Sequence, residues 1–179
     1  MSVVTIRPVQ LADAAALAHL AERTFRDTFT EDDNHADMTL HCAKNFGVAI
    51  QRQEILAANN VILVAEIAGQ LAAFAQVRLQ APKDCVVAQH PSELHRLYVE
   101  KAWHGRGVAH QLMAQILATA AQAGADTIWL GVWEENPRAI AFYRKYGFRV
   151  VGEHVFQFGN DPQRDLVMMT ELNNALNLL

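Results

Sequence analysis

The chain has 179 residues, enough for one domain with a real core and too few for two ordinary ones. Its 51% apolar and 19% charged residues are the composition of a folded globular protein, and no apolar run nears the ~20 residues a membrane-crossing helix needs. A net charge of −4 argues against nucleic acid as the main partner, whose usual footprint is a basic face, and leaves room for a cationic small substrate.

"MSVVTIRPVQ" lacks a basic region followed by a long apolar stretch, so no signal peptide is expected. Its "VVTIRPV" reads as an opening strand ended by Pro8. A helix follows from about Leu11 to Phe29, with Leu17, Leu20, Ala21, Thr24, Phe25 and Phe29 at helical spacing. The polar, acidic stretch from Thr30 to Asp37 breaks the pattern, and a second helical region runs from about Met38 to Asn59 with an interruption near Gly47. Two apolar runs around Ala68, Gly69 and Gln70 predict a hairpin, and "ELHRLYV" predicts a short strand ending at Val99.

Next comes "EKAWHGRGVAHQLMAQIL", a two-glycine turn in front of a helix whose Val108, Leu112, Met113, Ile116, Leu117 and Ala120 share one face. Gly124 ends that helix, "TIWLGVW" reads as a buried strand, and Pro137 sits where a first-turn proline belongs, just after Asn136. The helix "RAIAFYRKY" stops at Gly147, and two strands, about Phe148 to Phe156 and Arg164 to Leu172, close the chain. The order predicts a mixed α/β fold with strands around a central helix, in a single domain over residues 1–179.

A helix N-terminus presents unpaired N–H groups and a partial positive charge, so it binds anions. Gly105 and Gly107 let the backbone approach a bulky anion, and Arg106 either adds charge or points to solvent. Neither the P-loop GxxxxGK[ST] nor the dinucleotide GxGxxG is present, since His110 takes the third glycine's place. On the turn alone, a phosphate cradle and a plain tight turn are both open.

The strings "ELHRLYVEKAWHGRGVAHQLM" and "IWLGVWEENPRAIAFYRKYGF" together resemble the GNAT superfamily of N-acetyltransferases, which use acetyl-CoA. Its [Q/R]xxGx[G/A] turn is matched by His104, Gly105, Arg106, Gly107, Val108 and Ala109, with His104 departing from the first position. The resemblance implies a mostly antiparallel sheet flanked by helices. It also implies that backbone groups around Leu97, Tyr98 and Val99 hold the pantetheine arm of acetyl-CoA, that the Asn136 side chain contacts CoA, and that Tyr143 protonates the departing thiolate. Glu93, where several members of the family hold a catalytic glutamate, is the candidate base, with His95 two residues on as a relay and an ordinary strand-start acid as the alternative.

Three further strings, "TFRDTF", "LGVWEENPRAIAFYRKYGF" and "EHVFQFGNDPQRDLVM", are similar to the PaiA-type spermidine/spermine acetyltransferases of that superfamily. They imply acetyl transfer to a polyamine by direct attack in a ternary complex, with a peptide N-terminus, a lysine or another small amine as alternative acceptors and a non-catalytic CoA-binding regulator as the alternative class. Acceptor candidates are Glu31, Asp32, Asp33, Asp37, Trp133, Glu134 and Glu135, each of which also reads as an ordinary loop residue. Cys42 and Cys85 have no CxxC or zinc-like spacing, and His35/His41 and His104/His110 are each six apart, off any shared helical face. No metal is therefore expected, no membrane partner either, and a cytoplasmic protein with reduced thiols is. The apolar end "ALNLL" packs on the chain itself or on a partner, leaving a homodimer open.

Overall fold

The computed structural model describes residues 3–28 and 35–179. The elements are β1 (Val4–Pro8), a 3₁₀ turn (Leu11–Asp13), α1 (Ala14–Thr28), α2 (His35–Asn45), α3 (Val48–Leu56), β2 (Asn60–Ile67), β3 (Gln70–Arg78) and β4 (Pro91–Val99). A second 3₁₀ turn (Lys101–Trp103) leads to α4 (Val108–Gln122), β5 (Thr127–Trp133), α5 (Pro137–Arg144), β6 (Arg149–Phe158), β7 (Asp161–Glu171) and α6 (Leu172–Leu176). Among the described residues one seven-stranded sheet forms, ordered β1-β2-β3-β4-β5-β7-β6. Every neighbouring pair is antiparallel except β4 and β5.

The predicted order of elements holds, with differences at the ends. The first helix opens as a 3₁₀ turn and is described to Thr28; Phe29 and the acidic residues Glu31, Asp32 and Asp33 lie outside the described residues. The second helical region divides at Gly47, whose extended backbone (φ −63°, ψ 151°) caps α3. The closing hairpin is longer than expected, with Pro162 inside β7 opposite Gln157. β7 outruns β5, whose pairing stops at Trp133 opposite Asp165, so no neighbour on that side requires an N–H from Pro162. The end "ALNLL" packs on the chain itself: α6 buries Leu172 and Ala175 in the α4 core, while Leu178 and Leu179 remain exposed.

Two cores cover the two sheet faces. On one, Leu112, Met113, Ile116 and Leu117 of α4 are fully buried against Leu63, Ala73, Ala75, Leu94, Ile128 and Leu130. On the other, Leu17, Leu20 and Phe25 of α1 pack with Met38, Phe46, Val64, Phe74 and Phe158. Farther along this second face, the 79–90 loop covers Trp129, whose Nε1 donates to the Ala81 carbonyl at 2.8 Å, together with Val167 and Met169. Period-two alternation sorts side chains between the faces, Phe74 to one and Ala73 and Ala75 to the other.

His41 of α2 lies within the second core, stacked on Phe25 at 4.3 Å between ring centroids. Burial, then the nearby charge of Arg96, lowers its pKa from 6.5 to about 4, although the Gln157 carbonyl favours the proton. The unfolded chain therefore binds a proton that the folded chain refuses between those values. We predict that this group removes up to about 3 kcal/mol of stability as pH falls from 6.5 toward 4. Urea unfolding of His41→Phe across that window checks it, the expected result being a shallower decline than in the wild type.

Candidate active site

β4 and β5 pair in parallel only from Pro91 to Glu93, opposite Thr127 to Trp129, and then diverge. On its other side β4 stays paired with β3 as far as Val99, opposite Ala73, and Glu100 N–H donates to the Ala72 carbonyl at 2.9 Å. Hydrogen-bonded and non-bonded positions alternate along an antiparallel ladder, so Tyr98 directs its backbone groups to β3 while Leu97 and Val99 turn theirs into the gap. The gap thus carries an unpaired backbone edge of the kind an amide-containing ligand completes.

His104 occupies one of those groups. Its Nε2 lies 2.8 Å from the Val99 carbonyl, and since a carbonyl only accepts, Nε2 carries the proton. This accounts for the departure from Gln or Arg at the first turn position: the imidazole ties the turn to the end of β4. Arg106 is held over the Trp103 ring at 5.1 Å, so its charge stays beside the turn instead of extending freely into solvent.

Gly105 and Gly107 both have positive φ (72° and 79°), and Gly107 is the N-cap of α4 with no side chain capping the helix. Among the described residues the N–H groups of Val108, Ala109 and His110 have no backbone acceptor, so the first turn presents a row of free donors. The Val108 side chain is buried in the core and anchors the start of α4.

Past β5, Asn136 caps α5 by accepting from Ala139 N–H at 3.0 Å through Oδ1, which leaves its Nδ2 as the free donor. Two turns on, Tyr143 packs edge-on to Phe142 and against Phe148 on the α4 side of the sheet. Burial, then the charge of Tyr98, pushes its pKa well above the ordinary phenol value, so it remains a neutral O–H. Tyr98 lies on the opposite face, stacked on Phe74, its own pKa pushed up to about 12 by burial.

On that opposite face Glu93 Oε1 lies 3.2 Å from His95 Nδ1, and Arg78 Nη1 lies 3.5 Å from Glu93 Oε2. The pairing of Gln76 with Arg96 and of Val77 with Leu94 leaves His95 unmatched on β4, a β-bulge. Past the bulge Leu94 faces the α4 core while Arg96 faces α3, bonding Glu54 at 2.5 Å and Gln76 at 2.9 Å. Burial opposes ionisation of Glu93, but the hydrogen bond and charge of His95 and the charge of Arg78 outweigh it and hold its pKa below the usual value. Burial lowers the His95 pKa as well, with Glu93 opposing and Arg96 adding to the effect. At neutral pH the pair is a carboxylate accepting from Nδ1–H of a neutral imidazole, whose Nε2 keeps its lone pair.

The other acceptor candidates are differently employed. Asp37 accepts from Asn160 N–H at 2.6 Å and fastens α2 to the β6–β7 hairpin, and Glu134 pairs with Arg164 at 3.3 Å. Two residues not singled out in the sequence, Asp165 and His154, lie together over Gly131 of β5, on the sheet face that carries Glu93. Asp165 on β7 sits opposite Trp133 on one side and His154 on the other. A period-two pattern from Asp165 through Val167 to Met169 was their available signal, since it puts a carboxylate on the buried face of a strand.

The Acetyltransferase (GNAT) family model matches residues 15–148. An uncharacterized N-acetyltransferase of Mycobacterium tuberculosis is 33% identical over 162 residues, covering 90% of this chain and 99% of its own. Among solved structures, the PaiA N-acetyltransferase of Thermoplasma acidophilum in complex with coenzyme A superposes with a TM-score of 0.76 at 18% identity, over 94% of this chain and 99% of that one. An aminoglycoside N-acetyltransferase in complex with CoA superposes with a TM-score of 0.67 at 16% identity, over 87% and 94% of the two chains. The chain belongs to the GNAT acetyltransferase family, and its activity is that of an acetyl-CoA-dependent N-acetyltransferase.

Gly107 provides a test of the turn alone. No atom lies within 4 Å of a Cβ built there, so Gly107→Ala meets only the left-handed backbone strain. We expect a loss of about 1–2 kcal/mol in chemical denaturation.

Proposed function

We propose that this enzyme moves the acetyl group of acetyl-CoA to a primary amine of a small aliphatic polyamine by direct attack in a ternary complex, as a single catalytic domain. The observation that carries the reading is the two-sided gap between β4 and β5: Tyr143 and the α4 turn lie on one face, Glu93 and His95 on the other. A thioester threaded through the gap would meet proton donors on the face it enters and a base on the face an amine reaches.

In this reading the N–H groups of Gly107, Val108 and Ala109 take the pyrophosphate of CoA, with Gly105 giving the clearance and Arg106 the neighbouring charge. His104 holds the turn against β4, and Asn136 Nδ2 donates to CoA. Leu97 and Val99 pair with the pantetheine amides, an N–H of that edge stabilising the thioester oxyanion. Tyr98 contributes backbone order through its β3 bonds rather than a ligand contact.

The attacking amine must be neutral, and an alkyl ammonium with a pKa near ~10.4 must first lose a proton. His95 Nε2 accepts that proton, with Glu93 holding the ring in the right tautomer; Glu93 is the positioning partner and not the base itself. Collapse of the tetrahedral intermediate breaks the C–S bond, and the Tyr143 hydroxyl donates to the sulfur. A phenol above the ordinary ~10 is a weaker acid than a thiol near ~8.5, so its contribution lies in a hydrogen bond that strengthens as the thiolate charge develops. Direct attack is also supported by the cysteines: Cys42 lies in the α1 core and Cys85 against Gly152.

The polyamine assignment draws on the sequence likeness to the PaiA type and on carboxylates lining the amine side. The two free thiols fit a cytoplasmic setting. The free edge of β6, ten residues long, is the face through which a homodimer would pair.

The test is thiol release from acetyl-CoA with spermidine and spermine. Tyr143→Phe is expected to lower kcat by about tenfold to a hundredfold with CoA affinity retained. His95→Gln is expected to lower it by about a hundredfold and to remove the acidic limb of the pH profile. Wild-type kcat in Tyr143→Phe would remove the acid role, and no stimulation by either polyamine would remove the acceptor assignment.

A further inference from the structure

Asp165 is only 7% exposed, yet no hydrogen bond reaches its carboxylate among the described residues. Its nearest titratable neighbour among them is His154, with Nε2 3.8 Å from Oδ2, beyond hydrogen-bond range; burial lowers the His154 pKa, so the ring is neutral and brings no charge. The nearby cations are engaged elsewhere: Arg164 on Glu134 and Glu153, and Lys83 over the Trp129 ring at 5.4 Å. Burial raises the Asp165 pKa from 3.8 to about 6, consistent with a carboxylate that lacks donors. Such a group is destabilising unless something brings it a cation.

Its surroundings are those of a seat. His154 Nδ1 is buried without a partner. Gly131 on β5 lets both side chains lie directly against the strand: a Cβ there would meet His154 Cε1 at 2.9 Å and Asp165 Oδ2 at 3.2 Å. The carboxylate lies on the same sheet face as the base pair of β4: Val167, two residues on, packs with Trp129, the β5 partner of Glu93. Phe156, two residues along β6 from His154, supplies an apolar wall beside it.

We propose that Asp165, with His154 beside it, binds an ammonium group of the acceptor on the amine side of the β4–β5 gap. The carboxylate neutralises the cation, the neutral His154 ring completes the polar rim, and Phe156 lies along an alkyl chain. A small aliphatic diamine or polyamine has the required features, a primary ammonium on an apolar chain. The inference rests on the acetyltransferase reading of the gap, but it concerns binding and is read separately from turnover.

The experiment is a calorimetric titration of spermidine, and of 1,4-diaminobutane, into the CoA-saturated full chain, together with steady-state kinetics. Asp165→Asn is expected to weaken spermidine binding by about thirtyfold or more and to raise the amine KM in parallel, with the acetyl-CoA KM within about twofold of wild type. Should Asp165→Asn fail to fold, Gly131→Ala reads the same seat and is expected to weaken spermidine binding likewise. Spermidine affinity equal to wild type in the folded variant overturns the proposal, as does a wild type that binds neither amine. Asp165-dependent binding without acetyl transfer to any amine upholds the seat and removes the proposed acceptor.

Discussion

Parallel pairing between β4 and β5 lasts three residues and then stops, and the rest of the site depends on that stop. A continuous ladder would consume the backbone groups of Leu97 and Val99 and fill the sheet. Instead β4 is held by β3 alone over its second half, and its other edge faces a gap that runs through the sheet. The divergence is maintained by packing on both faces, with α4 and α5 on one and α1 to α3 on the other. Arg96 contributes by tying β4 to Glu54 of α3 rather than to anything across the gap.

The gap also separates tasks that would otherwise interfere. In the proposed mechanism, a turn with free amides and a neutral phenol occupy the face that takes the polyphosphate and the departing sulfur. A carboxylate–imidazole pair and a carboxylate without a hydrogen-bond donor occupy the face proposed for the cationic amine. Placing the negative side chains opposite the phosphate side keeps the two substrates' charges from competing for the same partners. The bulge at His95 makes this possible, because it lets Leu94 face the α4 core while Arg96 and Tyr98 face the other way.

Much of this was legible in the chain because it is written in local chemistry. Gly105 and Gly107 before a periodic helix announce a turn with free amides, and Asn136-Pro137 announces a capped helix start, as observed. The role of His104 was not legible, because its partner is the Val99 carbonyl, and only the fold brings the turn back against the end of β4. Asp165 and His154 were missed for the same reason. Their meaning comes from Gly131 across the strand and from burial, and a lone Asp among "QRDLVM" carries neither in sequence. Asp37 shows the converse: an acid that looked available for substrate is occupied by the Asn160 N–H of a distant hairpin.

The central claim is that the open edge of β4 receives the pantetheine arm of the donor. Amide hydrogen exchange at Leu97 and Val99, followed by NMR without and with saturating CoA, measures it directly. Bound CoA is expected to slow one or both of these amides by about tenfold or more, while Tyr98, already bonded to β3, changes little. Unchanged exchange at both Leu97 and Val99 in a protein saturated with CoA would contradict it.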